Sequence, residues 1–478
     1  MKRLPLIFLA SGAAVVIYIA FKAYLSSFTH DESFTWLHYV HDSFFDIFTY
    51  KKSFTNNHLL NTLGMKYSEM IFGNTEFALR LPNILAFILF LVYSFLLLKR
   101  ENQLIAITAF FLLITNNPLV DLFGLARGYG LSLGFMLMSF YHFIESFYSR
   151  KFIHTLLFHT GAMLAILSSF TLLTFYLALL ITLPVITAMD CFVNRKKYPL
   201  FYQLKIHILP LAGVIAILFE PVRRVIKFNH FDFGGKNGFF HDVLGGIVSK
   251  TFHNYGFSPN AFIVLEILLL AVFAGSLFLI LRMIYRRNAA FFNQHKGFIT
   301  SGILLFLLFV LLILMHKISG TDYPVGRFGM FLYPLLIIHL AFLFSILAER
   351  INKKIVLTGS IVMITGSIFF FILNVDFYAC SEWGFDRNTK NMMHGLAQQQ
   401  KEKTGKIKIG IDWIFEPTIN YYREQMKTGW LLPADRNGIQ PGDDYRYVTG
   451  ETFRKNTEDD YRVITYYETS DTYLLQKK

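Results

Sequence analysis

Apolar positions in this chain come in long blocks. Eleven near-continuous apolar runs, at 4–24, 79–98, 103–120, 129–148, 152–170, 172–192, 203–220, 261–284, 298–316, 328–347 and 354–374, are each close to the length that crosses a bilayer as a helix. Only closed hydrogen bonding within a segment satisfies a backbone surrounded by lipid, so each run predicts a transmembrane helix. Between the first two runs the spacing becomes helical and amphipathic. Phe34, Leu37, His41, Phe44, Phe45 and Phe48 form one stripe, and Leu59, Leu63, Tyr67, Met70 and Ile71 a second. Both predict short helices, either packed on other helices or lying along the membrane surface. Asn56 and Asn57 precede the second and are placed to cap it.

After residue 374 the pattern changes again, to mixed polar and Tyr-rich sequence with no further membrane run. A helix is predicted near 386–402, a strand at 407–411, a helix near 416–426, and strands near 445–448 and 461–467. The domain reading is thus a transmembrane domain, 1–374, followed by a small α/β domain, 375–478.

Composition agrees with the pattern: at 54% hydrophobic, 16% charged and a mean hydropathy of +0.44, 478 residues are too apolar for a soluble protein. The fold class is a polytopic α-helical membrane protein with a small C-terminal α/β domain. The first run follows Met1-Lys2-Arg3, exceeds a signal-peptide core and lacks a small-x-small cleavage site, so it reads as a retained anchor. With that basic start in the cytoplasm, Lys99-Arg100, Arg150-Lys151, Arg195-Lys196-Lys197, Arg282 with Arg286-Arg287, and Arg350 with Lys353-Lys354 all fall on the same inner side. Eleven crossings then leave the C-terminus outside. The net charge of +13 is accounted for by these turns facing anionic headgroups and is no sign of nucleic acid. Cys191 and Cys380 fall on opposite sides of the bilayer, so neither a disulfide nor a Cys-based metal site is expected. Short loops and the lack of an Asn-x-Ser/Thr sequon favour a bacterial inner membrane.

Candidate chemistry collects on the outer side. Asp31 and Glu32 sit immediately after the first run, where carboxylates are costly and usually serve chemistry, ions or protons. The alternative is a solvated turn. Adjacent side chains diverge in helix and strand alike, so the two are not interchangeable. Arg127, followed by Gly128 and Tyr129, and Arg327, followed by Phe328, begin helices from this side; each either binds an anion or snorkels to headgroups. Asp121 and Asp322 are further outer carboxylates, and an outer loop at 221–260 carries Arg223, Arg224, Lys227, Lys236 and Lys250. The chain shows no Gly-rich phosphate loop, no Cys/His metal spacing and no nucleophile elbow. A secondary transporter is the competing class, with Asp31 and Glu32 binding a coupling ion, but transporters place such groups near the midplane on inverted repeats, and no repeat is apparent.

His30-Asp31-Glu32 with Trp36, the stretch around Asn57-His58-Leu59-Leu60, and Phe72-Gly73-Asn74-Thr75-Glu76-Phe77-Ala78-Leu79-Arg80-Leu81-Pro82 together resemble the GT-C glycosyltransferases related to protein O-mannosyltransferases and lipid A aminoarabinose transferase. Ala126-Arg127-Gly128-Tyr129 resembles their Ala-Arg-x-Tyr stretch, and Arg327-Phe328 with Tyr333-Pro334 their Arg-Tyr stretch ending in Pro. The similarity runs through about residues 1–350. Many relatives carry His-Pro-Pro-Leu where this chain has Asn57-His58-Leu59-Leu60, and Tyr where Phe328 stands; the C-terminal part matches no motif.

What the resemblance implies is transfer of a sugar, hexose or pentose, from a polyprenyl-phosphate carrier to a glycan, lipid or protein acceptor at the outer membrane face. Asp31 is then the general base, with Glu32 orienting it, binding the acceptor or helping to hold an ion. Arg327 and Arg127 supply cations to the carrier phosphate, and His58 and Tyr129 line the substrate. A lone base opposite the leaving phosphate implies inversion. A sugar already on lipid needs no nucleotide site, and no cofactor is expected; Mg or Mn on Asp31, Glu32, His30 or His58 is the disfavoured option. A polysaccharide polymerase or ligase is the chemically nearest alternative.

Overall fold

The computed structural model describes residues 3–52, 56–149, 151–195, 200–228, 234–252, 259–400, 405–455 and 460–478. Of the basic residues used to orient the chain, Lys2, Arg150, Lys196 and Lys197 lie outside these, as does the end of the helix expected over 386–402.

Each of the eleven apolar runs is helical: Arg3–Leu25, Glu76–Leu98, Gln103–Ile114, Gly128–Ser149, Phe152–Ser168, Leu172–Asn194, Leu200–Lys227, Pro259–Tyr285, Lys296–Ser319, Leu332–Ala348 and Lys353–Leu373. Among the described residues, seven helices are long and apolar enough to cross a bilayer, or eight if the bent pair beginning at Gln103 counts as one crossing. The third run, expected as one helix over 103–120, is instead broken after Ile114. Asn116 Oδ1 accepts the Leu119 N–H at 3.0 Å and starts a new short helix, Asn117–Asp121, with Pro118 in its first turn, and the chain bends by 60°.

The chain separates into two compact units. One is Met1–Val16, Leu85–Phe123 and Gly128–Val375; the other is Ile17–Ile84, Gly124–Arg127 and Asp376–Lys478. The second unit therefore packs the C-terminal segment with the first loop. Phe28, Trp36, Met65, Leu79 and Ala126 share one core with Met392, Phe415, Ile419, Tyr421, Tyr422 and Tyr447. Polar groups close the seam: the Phe28 N–H donates to the Tyr422 hydroxyl at 2.8 Å, that hydroxyl donates to Glu76 Oε1 at 2.9 Å, and the Tyr421 hydroxyl donates to the Asn74 carbonyl at 2.8 Å.

The C-terminal segment carries a four-stranded sheet of β1 (Ile409–Ile411), β2 (Tyr445–Thr449), β3 (Tyr461–Tyr467) and β4 (Thr472–Lys477), in the order β1-β2-β4-β3. β1 and β2 run parallel; the other pairs are antiparallel. Helices Thr389–Gln399 and Glu416–Gln425 lie close to their expected places. β4 was not expected from the pattern. Both of its faces are packed, Leu474 in the core shared with Phe415 and Tyr447 and Leu475 in a smaller one with Val448 and Tyr461, so the alternation that marks a half-exposed strand is lost.

In the first loop, His30–Thr35 continues through a wide helical turn at Trp36–Val40, and Phe44–Phe48 and Leu59–Phe72 follow. The second stripe divides: Leu59 and Leu63 are buried, whereas Tyr67, Met70 and Ile71 are exposed. Neither asparagine caps the second helix. Its cap position is His58, Asn57 Oδ1 instead accepts from the Thr62 hydroxyl at 3.0 Å, and Asn56 turns to Asp31.

Candidate active site

The sequence Thr29-His30-Asp31-Glu32 closes a reciprocal cap. The Thr29 hydroxyl accepts from the Glu32 N–H at 3.5 Å, and Glu32 Oε2 accepts from the Thr29 N–H at 2.9 Å, which starts the helix at His30. This Thr-x-x-Glu signature is legible in the sequence. Asp31 falls in the first turn, where the helix N-terminus favours a carboxylate.

The two carboxylates then meet different surroundings. Glu32 is fully buried and accepts four N–H groups: Arg80 Nε to Oε1 at 2.8 Å, Arg80 Nη2 to Oε2 at 2.7 Å, Thr29 N–H, and Ala126 N–H to Oε1 at 2.5 Å. Four donors fill the acceptor sites of a carboxylate, and the fork to Arg80 is the strong bidentate form. Arg80, also fully buried, spends its remaining N–H groups on the Ala23, Ser26 and Ser27 carbonyls at 2.9, 3.1 and 2.7 Å and on the Ser26 hydroxyl, where the first helix ends. It ties that helix end to the couplet. Arg80 was read only as part of a motif; a charged residue opening an apolar run was the signal of a larger role.

Asp31 keeps 12% of its side-chain surface. Asn56 Nδ2 donates to Oδ1 at 3.2 Å, and Arg127 Nη2 lies 3.5 Å from Oδ2. Arg127 is itself held by the Asn56 carbonyl at 3.0 Å, the Asn56 side-chain oxygen at 3.2 Å and the Thr35 hydroxyl at 3.2 Å. Its backbone is aimed from both sides of the preceding residue, by Glu32 on the Ala126 N–H and by Asn61 Nδ2 on the Ala126 carbonyl at 2.8 Å. Glu32 thus positions the residue that flanks Asp31.

His30 is anchored by the C-terminal segment: its N–H donates to Asp386 Oδ2 at 2.6 Å, and its Nδ1 lies 2.6 Å from the Ile414 carbonyl. Burial holds the Asp386 carboxyl well above the usual carboxylate range; the His30 N–H and neighbouring Thr hydroxyls oppose the shift, and the Asp31 charge adds to it. Asp386 carries no motif and was not singled out from sequence, and Asn56 was read only as a helix cap. His58 is buried at the head of Leu59–Phe72.

Tyr129 and Arg327 belong to the other unit. The structure brings them together across 198 residues: Arg327 Nε donates to the Tyr129 hydroxyl at 3.1 Å. The guanidinium also lies 5.9 Å from the Tyr129 ring centre and 5.3 Å from that of Phe328, within cation–π range. Among the described residues, no group of three or more His, Cys, Asp or Glu side chains is placed to hold a metal ion.

No protein-family profile and no curated protein matches the chain. Among solved structures, ArnT from Cupriavidus metallidurans in the apo state aligns with a TM-score of 0.53 at 11% identity, over 98% of this chain and 97% of that one. The chain has the GT-C fold. ArnT bound to undecaprenyl phosphate aligns at 0.46 and 12% identity over 98% and 97%, and the oligosaccharyltransferase of Archaeoglobus fulgidus, in complex with Zn and sulfate, at 0.43 and 12% over 92% and 68%. At such identities the likeness is one of fold.

Proposed function

We propose that this chain is a membrane glycosyltransferase that takes a sugar from a polyprenyl-phosphate carrier and passes it, with inversion, to an acceptor at the outer face. The observation that carries the reading is the asymmetry of the couplet. Glu32 is sealed by four donors, whereas Asp31 stays partly exposed at a helix start with its direction fixed by Asn56 and Arg127. That is the arrangement of one base and one positioning residue. As the acceptor oxygen attacks the anomeric carbon, Asp31 takes its proton, and the sugar–phosphate bond breaks towards the carrier. Arg327, backed by Tyr129, binds the carrier phosphate, where a guanidinium fork matches two oxygens. Arg127 steadies Asp31, and His58 lines the substrate. The shared fold and the motif resemblance support lipid-linked transfer.

Mass spectrometry of lipid-linked sugars and surface glycans, with the intact gene, without it and with Asp31→Asn, tests this. Loss of the gene and the Asn variant should each leave the same lipid-linked sugar unused and the same glycan unmodified. Donor and glycan pools that do not change in either strain would overturn the proposal.

A further inference from the structure

We infer that Phe34, Trp413 and Arg436 form an acceptor subsite beside Asp31 and that the acceptor is a saccharide, so that the transferred sugar extends a glycan through a sugar hydroxyl. This rests on the reading of Asp31 as the base. Phe34 lies three residues after Asp31 and so shares its helix face, and the His38 ring, one turn on, lies 4.3 Å from the Phe34 ring. The C-terminal segment adds the other members. Trp413 is 56% exposed although the neighbouring Phe415 is buried, and its ring meets His30 edge-on at 5.7 Å. The Ile414 carbonyl on His30 Nδ1 fixes that loop to the residue next to the base. The Arg436 guanidinium lies 5.8 Å from the Phe34 ring centre and 5.9 Å from that of Trp413. Its Nε donates to Glu416 Oε2 at 3.2 Å, and the other Glu416 oxygen accepts from Asn420 at 2.8 Å.

A sugar ring has an apolar C–H face and an edge of hydroxyls. The negative face of an indole suits the first, and a guanidinium paired with a carboxylate offers both donors and acceptors for the second. Because Glu416 balances the charge of Arg436, the cluster does not select an anion, which sets phosphate-bearing acceptors aside. An indole serving the bilayer would sit among apolar neighbours, as Tyr67, Met70 and Ile71 do; Trp413 sits with His30 and Arg436.

The test is tryptophan fluorescence of the full chain in detergent, titrated with a panel of methyl glycosides and short oligosaccharides, with an acetylated Ser/Thr peptide, and with inorganic phosphate. Trp36 and Trp383 are buried, so a change on ligand binding comes from Trp413 or the half-buried Trp430, and Trp430→Phe separates the two. At least one glycoside should give a saturable change that Asp31→Asn and Trp430→Phe retain. Arg436→Ala should weaken it about tenfold or more, as expected for a central anchor. Trp413→Ala should lose glycoside binding by calorimetry, with Trp413→Phe restoring part of it, which separates loss of stacking from misfolding. Silence towards all glycosides, or a response to peptide or phosphate instead, overturns the inference, as does a blue shift on adding phosphatidylethanolamine–phosphatidylglycerol vesicles, which would make Trp413 a bilayer contact. Wild type that binds a glycoside yet never consumes a lipid-linked sugar removes the transferase reading alone. Wild type that consumes donor with a peptide acceptor removes the saccharide subsite alone.

Discussion

Replacing Glu32 by Gln separates structure from chemistry in the couplet. The substitution keeps shape and length, but an amide presents one acceptor oxygen and an NH2 donor to a pocket built from four N–H groups. Two of those donors then face another donor, and the Arg80 guanidinium, with no exposed surface, is left without its counter-charge. Breaking one partner of a buried pair costs about 3–5 kcal/mol. At roughly 2–4 °C per kcal/mol for a unit of this size, the thermal midpoint should fall by about 6–20 °C. The Ala126 peptide loses one of its two anchors at the same time, so Arg127 loosens and transfer drops with stability. The double variant Glu32→Gln/Arg80→Met removes the stranded charge and should recover a large part of the midpoint, while activity stays low because the end of the first helix is no longer tied. The assay is thermal unfolding of detergent-purified protein, followed by fluorescence and by protease resistance. A Glu32→Gln protein with an unchanged midpoint and no activity would refute this account and return Glu32 to the chemistry.

Asp31→Asn should lower transfer by about 10²–10⁴-fold, the usual worth of a positioned base, with the thermal midpoint nearly unchanged; transfer at near wild-type rate by purified Asn protein would place the base elsewhere, with Asp121 and Asp322 next to examine. Arg327→Lys should raise the donor KM by roughly tenfold or more through loss of the fork, and Tyr129→Phe by less because only one bond to Nε is lost; a normal donor KM in Arg327→Ala would remove Arg327 from the phosphate. The Asp386 carboxyl, raised by burial, contributes stability that is complete below the ordinary value of 3.8 and is lost as pH rises through its folded-state value. Asp386→Asn should therefore flatten the fall of the unfolding midpoint with rising pH, and parallel wild-type and variant curves would show that Asp386 stays ionised. Single cysteines at the exposed positions Ser43 and Asn437, in a Cys191→Ser/Cys380→Ser background, should both react with an impermeant reagent in intact cells; labelling of either only after the cytoplasm is opened would separate the first loop from the outer face.

The elements that rest on local periodicity were legible, because a membrane run or an alternating strand declares itself within a short window. All eleven runs are helices, and β3 spans Tyr461–Tyr467 as the pattern gives. What escaped depends on partners far away in sequence. β4 hides its alternation because both of its faces are packed, Leu474 on one and Leu475 on the other. Asn56 reads as a helix cap until Arg127, 71 residues on, is seen to take its carbonyl and side chain. The unequal fates of Asp31 and Glu32 were legible only as divergence of adjacent side chains; which of them is sealed depends on Arg80, 48 residues away.

The charge pattern around the couplet explains why so many distant segments converge on it. Two carboxylates on consecutive residues repel one another unless each is separately compensated, and the chain supplies one guanidinium to each. Arg80 grips Glu32 at 2.7 Å with no surface exposed, while Arg127 stands 3.5 Å from Asp31, which keeps some surface. The tighter pair is structural: it fastens a helix end, a cap and the Ala126 peptide at one point. The looser pair leaves a carboxylate oriented yet partly reachable, the property that the proposed role of Asp31 as base requires. A third carboxyl, Asp386, approaches from the C-terminal segment with no guanidinium of its own, and burial together with the Asp31 charge favours its protonated form. Its Oδ2 accepts the His30 N–H at 2.6 Å. The C-terminal segment, which carries no recognisable motif, thereby anchors His30, the residue before Asp31, through the Asp386 carboxyl and the Ile414 carbonyl, and such contacts leave no signature in the local sequence.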